Sequence, residues 1–166
     1  MFVRTASERD LDAVRALLVE TWHDTYDGIY GAARVTAITD DWHSIPALRA
    51  RLTRPRSEFL VADDGSRIGG MAFASVADDG ATVMLHQLYV APSCQGRGVG
   101  GMLLDEIEGS FPEARNLRLE VEEANEKAVR FYLSQGFVEV GRTADCGGEG
   151  SGIPAVIYER PIVWAD

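Results

Sequence analysis

Apolar residues recur along this chain in two rhythms, and the switches between them mark its elements. Residues 2–4 read as a short strand. Ser7 with Asp10 three residues on has the form of a capping box. Leu11, Val14, Leu17 and Leu18 then fall at helical spacing, predicting a helix to about Thr21. From Trp22 to Asp41 the rhythm loosens, with Gly28 and Gly31 as breakers. Ser44 and Pro46 open a second helix over residues 47 to about 52. Residues 58–62, 68–76 and 82–90 read as three strands joined by Asp64-Gly65 and Asp79-Gly80 turns, an antiparallel meander. A helix from Val99 to about Ile107 follows, then a strand over 116–122, a helix over 125–135 and a strand over 137–142. A glycine-rich loop, 147–152, precedes a last strand near 155–159. A meander followed by strand-helix-strand predicts an α/β chain of the α+β kind, with a central mixed, mostly antiparallel sheet flanked by helices.

At 166 residues, 46% hydrophobic, the chain can bury one sizeable core, and residues 1–166 are read as a single soluble domain. No apolar leader or membrane-length run is seen, so a cytoplasmic protein without membrane attachment is expected. Cys94 and Cys146 lack any zinc-like spacing; both are expected to stay thiols, and no metal is expected. Lys+Arg 16 against Asp+Glu 26 gives a net charge of −10, which opposes nucleic-acid binding and favours cationic small molecules or basic peptides. The same charge also serves solubility, and by itself names no substrate.

The candidate chemistry begins at Gln95-Gly96-Arg97-Gly98-Val99-Gly100-Gly101, between an apolar strand and an amphipathic helix. Small residues there let backbone N–H groups approach phosphate oxygens, and a helix N-terminus adds partial positive charge. Gly96-x-Gly98-x-x-Gly101 matches the dinucleotide fingerprint, and Glu120 lies about 20 residues on, where that motif places its ribose-binding acid. Against this, Ala91 to Gln95 intervene between strand and first glycine, and too few residues follow for further βα units. No Gly-Lys-Ser/Thr follows the glycines, which excludes a P-loop.

Read in the other register, Gln95-x-x-Gly98-x-Gly100 after Leu88-Tyr89-Val90-Ala91-Pro92 resembles the pyrophosphate loop of the GNAT superfamily of acyl-CoA-dependent N-acyltransferases. A second segment strengthens the match. Leu119-Glu120-Val121-Glu122-Glu123-Ala124-Asn125, leading into Ala128 to Phe137, looks like that superfamily's strand-Asn-helix-Tyr-Gly-Phe segment. The resemblance implies a GNAT-like fold, acetyl-CoA as co-substrate, and N-acetyl transfer to a primary amine. It implies that the amides of Gln95, Gly96, Arg97, Gly98, Val99, Gly100 and Gly101 hold the pyrophosphate. Leu88, Tyr89 and Val90 would carry the pantetheine by backbone hydrogen bonds. Asn125 and Tyr132, about 10.5 Å apart along one helix face, would touch the same cofactor, and Asn125 also suits a helix N-cap. Tyr132 would protonate, or hydrogen-bond, the departing thiolate, or serve as a core aromatic beside Phe131 and Phe137. A phenol near pKa 10 facing a thiol near about 8.5 makes the transfer uphill.

An alkylammonium with a pKa near about 10.4 must lose a proton before attack. Met84 stands where many GNAT members carry a glutamate. A branch resembling the ribosomal-protein N-terminal acetyltransferases instead points to Glu120, on a strand whose Arg118, Glu120 and Glu122 share one charged face. His86 is the other candidate base. Glu20 to Tyr26 resembles a segment of PaiA-type polyamine acetyltransferases; Glu20 and Asp24, one helical turn apart and near Asp27, would hold a small cationic amine such as a polyamine. Trp22, Tyr26 and Trp42 suit either the core or the acceptor mouth. A peptide N-terminus is the alternative acceptor, a non-catalytic acyl-CoA-binding regulatory domain the alternative function, and a homodimer a candidate assembly.

Overall fold

The computed structural model describes residues 1–146 and 151–163. The described elements are β1 (Phe2–Thr5), α1 (Leu11–Tyr30), α2 (Ala32–Trp42), α3 (Ile45–Leu52), β2 (Ser57–Asp63), β3 (Ile68–Val76), β4 (Thr82–Val90), α4 (Val99–Gly109), β5 (Asn116–Val121), α5 (Glu126–Ser134), β6 (Val138–Thr143) and β7 (Ala155–Pro161). Short 3-10 turns sit at Glu8–Asp10 and Pro92–Cys94. Hydrogen-bonded strands follow the order β1-β2-β3-β4-β5-β7-β6, giving the mixed, mostly antiparallel sheet that the element order predicts. β1 runs antiparallel to β2, and β7 runs antiparallel to both β5 and β6. β4 and β5 are parallel over four pairs, Thr82↔Asn116 to Leu85↔Leu119, while β4 continues to Val90.

The residues group into two compact units. Met1–Ala74 with Gln87–Ser110 forms the first. Its core joins Leu11, Val14, Leu17 and Leu18 of α1 to Leu48 of α3, Phe59 and Val61 of β2, and Met71 and Phe73 of β3. Ser75–His86 with the chain from Phe111 onward forms the second, where Leu117, Leu119, Tyr132, Phe137 and Val156 are buried. β3 and β4 each have residues in both. β2 and β3 are buried on both faces, which explains their continuous apolar runs.

The turns follow from local polar chemistry. The Asp64 carboxylate accepts from the Ser66 and Arg67 amides at 2.8 Å, and that of Asp79 from Ala81 and Thr82 at 2.9 Å. Ser44 caps α3 by accepting from the Ala47 amide at 3.2 Å.

The loosened segment after Trp22 is a correction: α1 runs on through Gly28 and stops at Gly31, where φ is +85°, and α2 follows at once. The stripe Leu11, Val14, Leu17, Leu18, Thr21, Trp22, Tyr26 stays buried past the expected end. That burial outweighs the roughly 1 kcal/mol a mid-helix glycine costs. Of the 147–152 loop, residues 147–150 lie outside the described residues.

The entry into α1 is held electrostatically. The Asp10 carboxylate takes two 2.8 Å bonds from Arg4 and one of 2.8 Å from the Ser7 amide. Chiefly because of Arg4, its pKa falls to about 2. A carboxyl whose pKa falls on folding contributes stability above its unfolded value, near about 3.9, and loses it as pH drops through the folded one. Asp10→Asn should therefore lower unfolding free energy by about 2 kcal/mol at pH 7, a gap that closes between about pH 4 and pH 2 in denaturant titrations.

Candidate functional site

The glycine-rich loop is part of the first unit. After β4, the Ala91 amide bonds the Gly69 carbonyl at 2.8 Å, and the turn Pro92–Cys94 redirects the chain. Gln95 folds back, its Nε2 donating to the Val90 carbonyl at 3.0 Å, while its own amide closes the turn onto Pro92 at 3.4 Å. Its side chain thus braces the loop. Gly96 and Gly98 take left-handed φ of +76° and +80°, a conformation side chains resist. Gly98 is the N-cap of α4, whose first i→i−4 bond is Met102 N–H to the Gly98 carbonyl, 3.0 Å. The amides of Val99, Gly100 and Gly101 therefore have no partner within the helix. A Cβ at Gly96, Gly98 or Gly101 would meet nothing within 4 Å, so the space beside these three backbones is open. Exposed donors, a helix N-terminus and the exposed Arg97 fit a diphosphate.

Two residues that the sequence reading passed over make this arrangement possible. At Gly70 of β3, a Cβ would stand 3.1 Å from both Leu103 Cδ1 and Val99 Cγ1, and 3.2 Å from the Tyr89 carbonyl. At Gly69 it would stand 2.8 Å from the Cys94 sulfur. The signal was present: two glycines inside an apolar strand mark close approach of another element.

The second unit carries the other candidates. Leu117, Leu119 and Val121 are buried, while Arg118 and Glu120 are half-buried on the opposite face of β5. Arg118 is taken up by Glu159 of β7, directly across the ladder, at 2.7 Å. Glu122, past the end of β5, is buried. Burial, followed by the charges of Glu122 and Glu120, pushes the Cys146 thiol up to about 12, so two carboxylates and a protonated thiol share one neighbourhood. His86 is exposed, with Nε2 2.7 Å from the buried Ser75 hydroxyl. Both cysteines are free thiols.

Asn125 caps α5, its side chain accepting from the Ala128 amide at 3.2 Å. The Tyr132 ring is buried edge-on to Phe131 and Phe137, with centroids 5.2 and 5.5 Å away. Burial raises its pKa above the ordinary phenol value and keeps it protonated. A surface hollow of about 350 Å³, lined by Glu126 and Arg130 of α5, Glu139 and Arg142 of β6 and Tyr158 of β7, includes none of the residues singled out from the sequence.

Trp22 and Tyr26 pack with Val35 in the first unit, and half-buried Trp42 and Tyr89 lie against them. Glu20 and Asp24 are exposed on α1, and Asp27 bonds His23 Nδ1 at 2.6 Å. His43 and Gln87, also unremarked in the sequence, are buried against each other, Gln87 Nε2 to His43 Nδ1 at 3.2 Å. Trp22 Nε1, His43 Nε2, Gln87 Oε1 and Arg51 Nη1 are enclosed without a hydrogen-bond partner. Each such orphan costs about 1–3 kcal/mol unless something outside the chain satisfies it.

Residues 13–137 match the model of the acetyltransferase (GNAT) family. The chain belongs to that family and is an N-acetyltransferase. It is 28% identical over 158 residues to an uncharacterized N-acetyltransferase of Archaeoglobus fulgidus, covering 91% of this chain and 99% of the other. It is 27% identical to the peptidyl-lysine N-acetyltransferase YiaC of Escherichia coli, over 97% of each. Its fold matches the PaiA N-acetyltransferase of Thermoplasma acidophilum, solved with coenzyme A, with a TM-score of 0.84 and 24% identity over 96% and 98% of the two chains.

The packing at Gly70 yields a direct expectation. Gly70→Val should destabilise by about 1–3 kcal/mol, because neither α4 nor the Tyr89 carbonyl can retreat cheaply. Gly101→Ala, whose new methyl meets nothing inside a helix, should be neutral or stabilise by up to about 1 kcal/mol. Thermal and urea denaturation of the two variants would measure the contrast.

Proposed function

We propose that the enzyme transfers the acetyl group of acetyl-CoA to a primary amine, with the pyrophosphate on the Gly96–Gly101 amides and the pantetheine arm along Leu88, Tyr89 and Val90. The observation that carries the donor assignment is the loop itself: two left-handed glycines and an open helix N-terminus after the turn that follows β4. β4 runs beyond its last pair with β5, which suits strand addition by the amide-bearing arm. An amide of the same stretch would stabilise the charge developing on the thioester carbonyl oxygen.

Attack by the neutral amine forms the C–N bond; collapse breaks the C–S bond and releases the thiolate. By the family resemblance, Tyr132 faces that sulfur. Its raised pKa makes full proton transfer to a thiolate unfavourable, so Tyr132 acts by donating a hydrogen bond to the leaving group. Glu120 accepts the ammonium proton, directly or through water. His86 is a second reading for the base, favoured by its exposure and by the short bond to Ser75 that orients its ring. Glu20 and Asp24, one turn apart on the continuous helix α1, favour a cationic acceptor. The peptide and lysine amines named for relatives are the runner-up.

Gly98→Asp should abolish acetyl-CoA binding in isothermal titration, since it adds a charged side chain at φ +80° beside the anion. Tyr132→Phe should lower kcat by about 10-fold to 100-fold with little change in the KM for acetyl-CoA. Glu120→Gln should lower kcat by a factor on the order of 10² to 10⁴ and remove the acidic limb of the pH–rate profile, with acetyl-CoA still bound. Full activity of Glu120→Gln across pH, with activity lost in His86→Ala, would move the base to His86.

A further inference from the structure

The four enclosed polar atoms of the first unit belong to one cluster around the His43 ring. The Trp22 ring lies 5.6 Å from it, Gln87 bonds its Nδ1 at 3.2 Å, and Arg51, whose charge acts on it, bonds the adjacent Trp42 carbonyl through Nη2 at 3.0 Å. Gln87 Nε2 and the Trp42 backbone both act on the His43 ring, while His43 Nε2 has no partner among the described residues. Burial, with Arg51 nearby, holds the ring neutral. Unmet donors are then Trp22 Nε1–H and Arg51 Nη1, with His43 Nε2 also open, against one unmet amide oxygen, Gln87 Oε1.

The charge is unmet as well. Arg51 is desolvated, lies by the Phe73 face at 5.9 Å, and has no carboxylate in ion-pair range among the described residues. A guanidinium and an indole N–H directed at no acceptor are complementary to a planar anion with two oxygens. The four atoms are themselves enclosed, but Arg51, Trp42 and Tyr89 around them are only half-buried, so the cluster lies close beneath the surface. Trp22 and Trp42, which suit either the core or the acceptor mouth by sequence, come from α1 and α2.

We propose that this cluster is a recognition subsite for a carboxylate carried by the acceptor, so that the amine acetylated is that of an amino acid or amino-acid-like compound and not of a plain polyamine. This rests on the acetyl-transfer reading above. Arg51 Nη1 and Trp22 Nε1 bind the carboxylate oxygens, His43 Nε2 adds a third polar contact, and Gln87 Oε1 takes an N–H of the same ligand. A polyamine, by contrast, would bring a second cation to an arginine without a counter-ion.

The test compares amines that differ only in the carboxylate: L-lysine with cadaverine and L-ornithine with putrescine, measured by CoA release. Acetyl-CoA binding is measured separately by titration. The wild type should favour the carboxylated member of each pair at least tenfold in kcat/KM. Arg51→Met should cut that preference about tenfold and Trp22→Phe, which deletes one N–H while keeping a ring, about threefold to tenfold. Arg51→Lys should keep part of it. Equal rates within each pair, or a preference that survives Arg51→Met and Trp22→Phe, would mean that only water fills the cluster; this overturns the subsite and leaves acetyl transfer standing. If acetyl-CoA binds but no amine turns over, lysine titrated into the CoA-loaded protein decides. Binding by lysine without binding by cadaverine supports the subsite, and binding by neither overturns it. Failure to bind acetyl-CoA would sink the acetyl-transfer reading and this inference with it.

Discussion

The donor end of this protein depends on one steric constraint, the contact of α4 with β3 at a residue that has no side chain. Val99 and Leu103 stand where a Gly70 Cβ would be crowded to 3.1 Å, and the Tyr89 carbonyl closes in at 3.2 Å. This close seating fixes where the first turn of α4 lies relative to the end of β4 within the first unit. Gly96 and Gly98 are consequences: a chain that leaves β4, makes a 3-10 turn and enters a helix already pinned in place must reverse in few residues, and left-handed φ is the short way to do so. The amides of Val99, Gly100 and Gly101, which have no partner within the helix, follow from that geometry and are the donors proposed for the diphosphate. Gln95 secures the arrangement by binding the Val90 carbonyl, so the loop is braced by a side chain and presents its backbone.

Proton chemistry in the second unit is governed by desolvation. The same burial that packs Tyr132 between Phe131 and Phe137 raises its pKa, which fits it to donate a hydrogen bond and makes it a poor proton source for a thiolate. Cys146 is held protonated by burial and by the carboxylates of Glu122 and Glu120, so it is not a nucleophile competing for the acyl group. Arg118 pairs with Glu159 across the β5–β7 ladder at 2.7 Å. A face that reads as a uniform charged stripe is thus divided, with Arg118 serving the sheet.

What the sequence disclosed depends on whether a property is local. Strands β3 and β4 were legible to the residue, because apolar runs and the Asp-Gly turns that bound them are set by neighbours in the chain. The capping roles of Ser44 and Asn125 were legible for the same reason. Gly28 misled, since a breaker's cost is local while the burial of Trp22 and Tyr26 that overrides it comes from tertiary packing. Gly69 and Gly70 were visible as an oddity in a strand, but what approaches them is set by α4 and the Pro92–Cys94 turn. His43, Arg51 and Gln87 gave no signal, for they sit at a helix end, in a third helix and on a strand, far apart in sequence.

That difference follows from how the two substrates of one transfer are recognised. On the proposed reading the donor's diphosphate is bound by backbone groups, which any sequence supplies, so what must be written into the chain is small residues at fixed spacing, and these form a contiguous motif. An acceptor has to be told apart from other amines, which requires side chains of particular charge and hydrogen-bonding sense converging from several elements. Trp22, His43, Arg51 and Gln87 meet that description: each leaves a directional polar group unmet, and together they present an uncompensated positive charge. Apolar residues of the same size would fill the space without the desolvation cost of four such orphans. On the proposed reading an oxygen-rich group completes them, and acceptor specificity then rests on side-chain polarity within the first unit as well as on the acidic surface of α1.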